Sequence, residues 1–108
     1  KAIRRQRQMC IRDRYIDAVT TSCDVNKGKP EPDVYLKTAE KLQVKPEHCL
    51  VFEDIPMGIL AGKRAGMQVC AIEDDYSIHL TAEKKALADY YITDFRQVLD
   101  HTYEDLRK

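Results

Sequence analysis

The sequence predicts an α/β domain with a three-layer, doubly wound parallel sheet. From Tyr15 onward, short apolar runs alternate with helical stretches, and the connections between them are short. This order favours parallel strands joined by right-handed helical crossovers. The 108 residues are 44% hydrophobic and 33% charged, which is typical of one small globular domain. Ligands of such sheets bind beyond the carboxyl ends of the strands, so the residues that follow each strand are the first candidates for function.

The first part of this pattern covers a strand, a loop and a helix. Residues 16–19 contain three apolar side chains and are predicted to form a short strand. A polar loop follows over residues 20–32 and ends in two closely spaced prolines, which hold it extended. Pro32 is well placed to open a helix that runs to about Gln43, because the first helical turn does not need its missing N–H.

Two apolar runs in the middle of the chain predict buried strands. Residues 49–52 and 69–72 are continuously apolar, as expected of strands covered on both faces. A helix over residues 56–65 connects them. Glycine inside a helix costs about 1 kcal/mol relative to alanine, so Gly58 and Gly62 indicate a helix pressed closely against the sheet.

The last third of the chain predicts a helix, a strand and a second helix. The helix covers residues 81–88 and the strand residues 90–92. The final helix is predicted over residues 95–106, where apolar side chains recur on one stripe with acids and bases opposite.

Residues 1–14 differ from the rest of the chain in charge and pattern. They carry six basic side chains and one acidic side chain, without a helical stripe or a strand alternation. The segment from Met9 to Arg14 looks like the translated end of a transposase-based sequencing adapter. We therefore predict a non-native leader over residues 1–14, the alternative being a disordered basic arm, and a domain over residues 15–108.

Charge, hydropathy and cysteine usage exclude several function classes. Residues 15–108 carry 12 basic and 17 acidic side chains, which argues against a nucleic-acid partner. No apolar run reaches half of a membrane span, so no membrane partner is predicted. The four cysteines show no zinc-ligand spacing and are expected to be free thiols, which indicates a reducing, cytoplasmic location.

The residues most able to carry chemistry follow the predicted strands. Glu53 and Asp54 end the strand at 49–52, and Lys29 lies in the loop after the first strand. Paired carboxylates at such an end suit Mg²⁺, while a nearby lysine suits a phosphate group. Alternatively, the lysine is a solvated loop residue and the acids favour the N-terminus of the following helix. The acidic run 73–75 is interpreted as a solvated loop.

Two motifs over residues 25–72 resemble a known family. The segment VNKGKPEPDVYLKTAEKLQVKPEHCLVFEDIPMGILAGKRAGMQVCAI contains G-K-P-x-P-D and E-D-x-x-x-G-x-x-A-x-x-x-A-G-M. It is similar to the C-terminal core of haloacid dehalogenase-like (HAD) hydrolases, which is Rossmann-like. Within that family it looks most like the sugar-phosphatase and beta-phosphoglucomutase-like subgroup.

The resemblance implies roles for three residues. Lys29 matches the catalytic lysine that binds phosphate and pairs with the nucleophilic aspartate. Glu53 and Asp54 match the acids that bind Mg²⁺. Asp54 is the clearer match of the two and is also expected to serve catalysis. The implied activity is hydrolysis of small phosphorylated metabolites, with sugar phosphates as the expected substrates, by a full-length enzyme expected to be a monomer.

The family's other catalytic parts do not match this sequence. No D-x-D-G-T segment precedes Lys29, and the helical cap that selects the substrate has no counterpart, so the N-terminal strand and cap are predicted to be missing. We therefore predict that this chain alone is inactive. Beta-phosphoglucomutase-like phosphotransfer and a non-catalytic phosphate-binding domain, such as a receiver phosphorylated on Asp54, stay open as alternatives.

Overall fold

The computed structural model describes residues 15–107, which contain one four-stranded sheet with helices on both faces. The strands and α-helices, in chain order, are α1 (Asp33–Leu42), β1 (Leu50–Glu53), α2 (Pro56–Arg64), β2 (Gln68–Ile72), α3 (Thr81–Leu87), β3 (Tyr90–Ile92), α4 (Arg96–Asp100) and β4 (Glu104–Asp105). Short 3₁₀ turns cover Ser22–Asp24, Pro46–His48 and Asp75–Leu80. The predicted leader over residues 1–14 lies outside the described residues.

The sheet is parallel in the order of the chain, with one antiparallel strand at its edge. β1 pairs with β2, and β2 pairs with β3, both in parallel. β4 then adds to β3 in the antiparallel direction. The predicted α/β class with a mostly parallel sheet is therefore confirmed, and the carboxyl ends of β1, β2 and β3 lie at one edge of the sheet.

The core lies between the sheet and helices α2 and α3. Val51 and Val69 are register partners on the face that α2 covers, and Ile59 of α2 is fully buried. A Cβ atom on Gly62 would lie 2.7 Å from Cγ2 of Val69, so this position needs glycine for the helix to approach the sheet. The interpretation of Gly62 as a close-packing position is confirmed.

The opposite face of the sheet is only partly covered, which corrects one expectation. Leu50 and Phe52 are 48% and 38% exposed, so β1 is not covered on both faces as its continuous apolar run suggested. In the described residues, α4 is the helix on this face, where its neighbour Phe95 packs against Phe52 with ring centroids 5.5 Å apart. A helix of five residues is too short to cover β1 as well.

The predicted strand at residues 16–19 is wrong. Ile16 and Val19 are 45% and 46% exposed, and no strand is formed there. Helix α1 supplies the polar partners instead, because Lys41 donates to the Val19 carbonyl at 2.6 Å and Thr38 donates to Thr20 at 2.8 Å. Among residues 15–107, no strand of the sheet pairs with this segment, so its strand composition has no backbone partner.

The long helix predicted over residues 95–106 is also wrong. Helix α4 ends after Asp100, because His101 adopts a left-handed conformation with φ of 59°. The Thr102 N–H then bonds to the Gln97 carbonyl at 3.0 Å. The chain turns back and pairs β4 with the free edge of β3, and Tyr103 packs edge-on against Tyr90. Pairing with the sheet edge therefore replaces the last two helical turns.

The other predicted helices and strands match within one or two residues. Among residues 15–107, no helix combines the length and the apolar character that a membrane crossing requires.

Candidate active site

The structure brings Lys29 and Glu53 together at the carboxyl end of β1. The Lys29 Nζ lies 2.8 Å from Oε2 of Glu53, although 24 residues separate them in sequence. Asp54 follows directly and is exposed to solvent. The three residues that the sequence singled out are thus neighbours at the edge where parallel sheets bind their ligands.

The loop that carries Lys29 is attached to the fold on both of its sides. Pro32 caps α1, and the N–H groups of Tyr35 and Leu36 donate to its carbonyl. Arg64, the last residue of α2, donates to the Pro30 carbonyl at 3.4 Å. These bonds hold the lysine stem near β1, while 37% of the Lys29 side chain stays exposed.

Glu53 is the buried centre of the site. Only 8% of the residue is exposed, and both of its carboxylate oxygens are used. Oε2 accepts hydrogen bonds from Lys29 and from the Tyr35 hydroxyl, and Oε1 accepts the Asp54 N–H at 3.2 Å. Burial alone would raise the pKa of Glu53, but the hydrogen bonds from Lys29 and Tyr35 outweigh it and lower the pKa. Glu53 is therefore held as a carboxylate.

Tyr35 is a site residue that neither sequence motif indicated. Its ring lies on the inner stripe of α1, 5.6 Å from the Lys29 ammonium, and its hydroxyl reaches Glu53. Burial and the hydrogen bond to the Glu53 carboxylate raise the pKa of Tyr35, so the phenol stays neutral. The signal in the sequence was a tyrosine where a purely apolar stripe would carry phenylalanine or leucine.

Gly58 makes room for the buried carboxylate. A Cβ atom at this position would lie 2.1 Å from Cδ of Glu53 and 2.4 Å from its Oε2. Since Gly58 lies in the first turn of α2, the helix can start close to the end of β1 only without a side chain here. The two glycines of α2 therefore have different neighbours. Gly62 packs against the sheet, and Gly58 packs against the candidate site.

Asp54 has the chemistry of a cation ligand. Its contact with Glu53 raises the pKa of its carboxyl group, with smaller contributions from burial and from the negative charge of Asp74. Negative charge thus accumulates at the ends of β1 and β2, and an oxygen-binding cation such as Mg²⁺ would relieve it. Within residues 15–107, no group of three or more His, Cys, Asp or Glu side chains could by itself hold a metal ion.

The acidic run 73–75 and the three histidines are not among the described hydrogen-bond or ion-pair partners of Lys29. Glu73 accepts a hydrogen bond from the Tyr91 hydroxyl at 3.2 Å, and Asp75 is exposed. His48, His79 and His101 are exposed in three separate segments.

Comparison with known families gives an independent identification. A sequence profile described as "haloacid dehalogenase-like hydrolase" matches residues 2–66, a span that includes Lys29, Glu53 and Asp54 and most of the predicted leader. The origin of the leader stays a prediction.

The similar proteins include several named as phosphatases. The chain is 39% identical over 83 residues to validoxylamine A 7'-phosphate phosphatase of Streptomyces hygroscopicus subsp. limoneus, which covers 77% of this chain and 37% of that protein. It is 45% identical over 56 residues to hexitol phosphatase A of Escherichia coli, which covers 52% of this chain and 26% of that protein. The chain thus spans well under half the length of these relatives.

Solved structures agree with this family. CbbY from Rhodobacter sphaeroides, crystallised with xylulose-(1,5)bisphosphate, aligns over 77% of this chain and 36% of its own with a TM-score of 0.69 and 30% identity. A hydrolase from Deinococcus radiodurans with bound phosphate and sodium aligns over 69% and 35%, with a TM-score of 0.62 and 31% identity. Both similarities support the α/β architecture described above.

Proposed function

This chain belongs to the haloacid dehalogenase-like hydrolases, and on that premise we propose that it supplies the lysine- and metal-bearing part of a phosphatase for small phosphorylated metabolites. The observation that carries the proposal is the Lys29 ammonium held 2.8 Å from buried Glu53, beside the exposed carboxylate of Asp54. A cation and a metal-binding acid at one sheet edge suit a phosphate group between them.

Lys29 is the group that would contact the phosphate. An ammonium donates but cannot accept hydrogen bonds, so after one bond to Glu53 it has further N–H groups for phosphate oxygens. Glu53 and Tyr35 orient the lysine, and the partial exposure of its side chain leaves a path for substrate. The aspartate that would attack phosphorus has no counterpart in this sequence, so the covalent step is assigned to a longer protein.

Asp54 is the residue we assign to Mg²⁺. When bound, Mg²⁺ would supply positive charge that neutralises the phosphate oxygens. Glu53, the second acid predicted for the metal, accepts hydrogen bonds from Lys29 and Tyr35 through its Oε2. We therefore assign Glu53 to the lysine.

Sugar phosphates are the substrate class that the relatives favour. Hexitol phosphatase A and a fructose-1-phosphate phosphatase of Escherichia coli are both 45% identical to segments of this chain. We propose the same class here, with one phosphorylated metabolite as the partner and a reducing, cytoplasmic setting. Cys23, Cys49 and Cys70 are all free thiols, which supports that setting.

Metal binding can be tested on this chain without turnover. Micromolar Mn²⁺, as a paramagnetic substitute for Mg²⁺, should broaden the amide signals of Asp54 and Ile55 in an ¹⁵N-labelled sample. Asp54→Asn should remove that broadening. The matched control Asp75→Asn, an exposed acid in the neighbouring loop, should leave it in place. Broadening that survives Asp54→Asn would remove Asp54 from the metal site.

Catalysis is tested in the longer protein. Lys29→Met should lower the phosphatase kcat/KM for sugar phosphates at least 100-fold, since charged donors to a reacting group contribute about that much. Lys27→Met, an exposed loop lysine two residues away, is the control and should be nearly neutral. The 108-residue chain alone should show no hydrolysis. Conversion of glucose 1-phosphate into an isomeric glucose phosphate, without release of inorganic phosphate, would favour the mutase alternative.

A further inference from the structure

We propose that Lys84 and Ser77 are positioning residues that hold the main chain of Asp54 and so set the place of its carboxylate. The inference rests on the proposed function, because Asp54 is there the metal ligand. Neither residue was singled out by the sequence, and neither touches Lys29 or Glu53 in the described hydrogen bonds.

Lys84 is a lysine in the interior of the protein. It lies on α3 and is 0% exposed, which makes it the largest fully buried side chain in residues 15–107. Its Nζ donates to the Ile72 carbonyl at 2.6 Å and to the Ser77 Oγ at 3.1 Å. An ammonium is costly to bury, and a leucine or methionine would fill the same space without that cost. The position therefore points to a use for the hydrogen bonds.

The ammonium sets the direction of the next hydrogen bond. Lys84 can only donate, so the Ser77 oxygen must accept from it. The Ser77 hydroxyl proton is then left for the Asp54 carbonyl, whose oxygen lies 3.1 Å from the Ser77 Oγ. Without Lys84, the hydroxyl could rotate and use its proton elsewhere.

The same network joins the ends of two strands. Ile72 is the last residue of β2, and Asp54 follows the end of β1. Ser77 interrupts the 3₁₀ turn Asp75–Leu80, which follows β2, with φ of −117° and ψ of 20°. From this kink its hydroxyl reaches the Asp54 carbonyl. Lys84 therefore contacts the end of β2 directly and is linked through Ser77 to the loop after β1.

Asp54 is consequently held through its backbone while its side chain faces solvent. Its N–H donates to Glu53 at 3.2 Å and its carbonyl accepts from Ser77 at 3.1 Å. Its carboxylate is exposed. A rigid backbone below an exposed carboxylate is what a metal ligand needs, because the ligand then loses little freedom on binding.

Three variants test the inference. Lys84→Met and Ser77→Ala break the network at different bonds. Lys85→Met is the matched control, since Lys85 is the next residue of α3, carries the same charge and contacts Glu104 at 3.0 Å instead. Each variant is used under conditions where circular dichroism shows it folded, and Ser77→Ala carries the test should Lys84→Met fail to fold.

The first readout is hydrogen exchange at the amides of Asp54 and Ser77 in the 108-residue chain. Lys84→Met and Ser77→Ala should exchange at least 10-fold faster there, because the local opening costs less. Lys85→Met should match the parent chain. Unchanged exchange in both network variants, or equal acceleration in the control, would overturn the inference.

The second readout is the Kd for Mn²⁺, and its direction separates positioning from charge. Removing a lysine charge near a cation site should tighten Mn²⁺ binding, whereas loss of positioning should weaken it about 10-fold. Weaker binding in both network variants supports the inference, and tighter or unchanged binding refutes it. If Asp54→Asn leaves Mn²⁺ binding intact, the metal assignment fails instead, whatever the network variants do to exchange.

Discussion

Replacement of Gly58 by alanine should destabilise the protein, although alanine is the better helix former. Alanine ordinarily stabilises a helix by up to about 1 kcal/mol relative to glycine. Here the new Cβ would lie 2.1 Å from Cδ and 2.3 Å from Cγ of Glu53, a distance that real contacts do not reach. Because Glu53 is only 8% exposed, its side chain has little space into which it can move.

The expected size follows from what the displaced carboxylate loses. Overpacking costs about 1–3 kcal/mol, and a hydrogen bond to a charged group contributes about 1.5–3 kcal/mol. We count only the bond from half-buried Tyr35, since Lys29 is partly exposed and its ion pair is screened by solvent. After subtraction of the helix gain, Gly58→Ala should lower the free energy of unfolding by about 1.5–5 kcal/mol.

The assay is urea unfolding followed by circular dichroism, with two comparisons. Gly28→Ala is the control, because a Cβ there meets nothing within 4 Å. In the Glu53→Ala background the obstacle is gone, so Gly58→Ala should become neutral or stabilising by up to about 1 kcal/mol. The same destabilisation in both backgrounds would show that Glu53 is not the group that Gly58 accommodates.

Three further predictions concern the interior of the fold. Tyr35→Phe should lower the free energy of unfolding by about 1–2 kcal/mol near pH 7, measured in urea. Burial raises the pKa of Tyr35 above its ordinary value of 10.0. This stabilisation is therefore present below pH 10 and is lost as the pH rises further. The difference in the free energy of unfolding between Tyr35→Phe and the parent should consequently shrink in alkali. Burial raises the pKa of Cys70 to about 11. The Cys70 thiol should therefore react with a disulfide reagent at pH 8 far more slowly than exposed Cys23. Equal reaction rates of the two thiols in the folded chain would contradict this. Gly62→Ala should cost about 1–3 kcal/mol, because its Cβ would meet Val69 at 2.7 Å, and a neutral result in urea unfolding would show that α2 can move outward.

The middle of the chain was predictable because its signals are local. Apolar runs bounded by turn residues define β1, β2 and β3, and the short connections between them imply parallel pairing. That topology then places the residues after β1 at the ligand-binding edge. The prediction of Lys29, Glu53 and Asp54 as one site follows from this rule and from the motifs, and the structure places Lys29 on Glu53.

The ends of the described chain were predicted wrongly because their conformation depends on residues that are distant in sequence. Residues 16–19 have strand composition, yet the Val19 carbonyl accepts a hydrogen bond from Lys41 of α1 and the segment joins no strand of the described sheet. Residues 95–106 have a helical stripe, yet the free edge of β3 offers backbone hydrogen bonds that a helix would leave unused. Periodicity shows which side chains are apolar, but it does not show which backbone N–H and C=O groups are available for pairing.

Local sequence patterns are sufficient to predict the fold class and the succession of the central strands and helices along the chain. They also contain the pair of motifs that place the chain in its family. What each polar residue at the site does depends on the tertiary structure. Glu53 and Asp54 are adjacent in sequence, but the first turns inward to Lys29 and Tyr35 while the second faces solvent. The functions of Gly58 and Lys84 likewise depend on atoms brought close by folding, namely the Glu53 carboxylate and the Ser77 hydroxyl. Such roles arise from distances of a few ångströms across the sheet edge, which residue spacing along the chain does not encode.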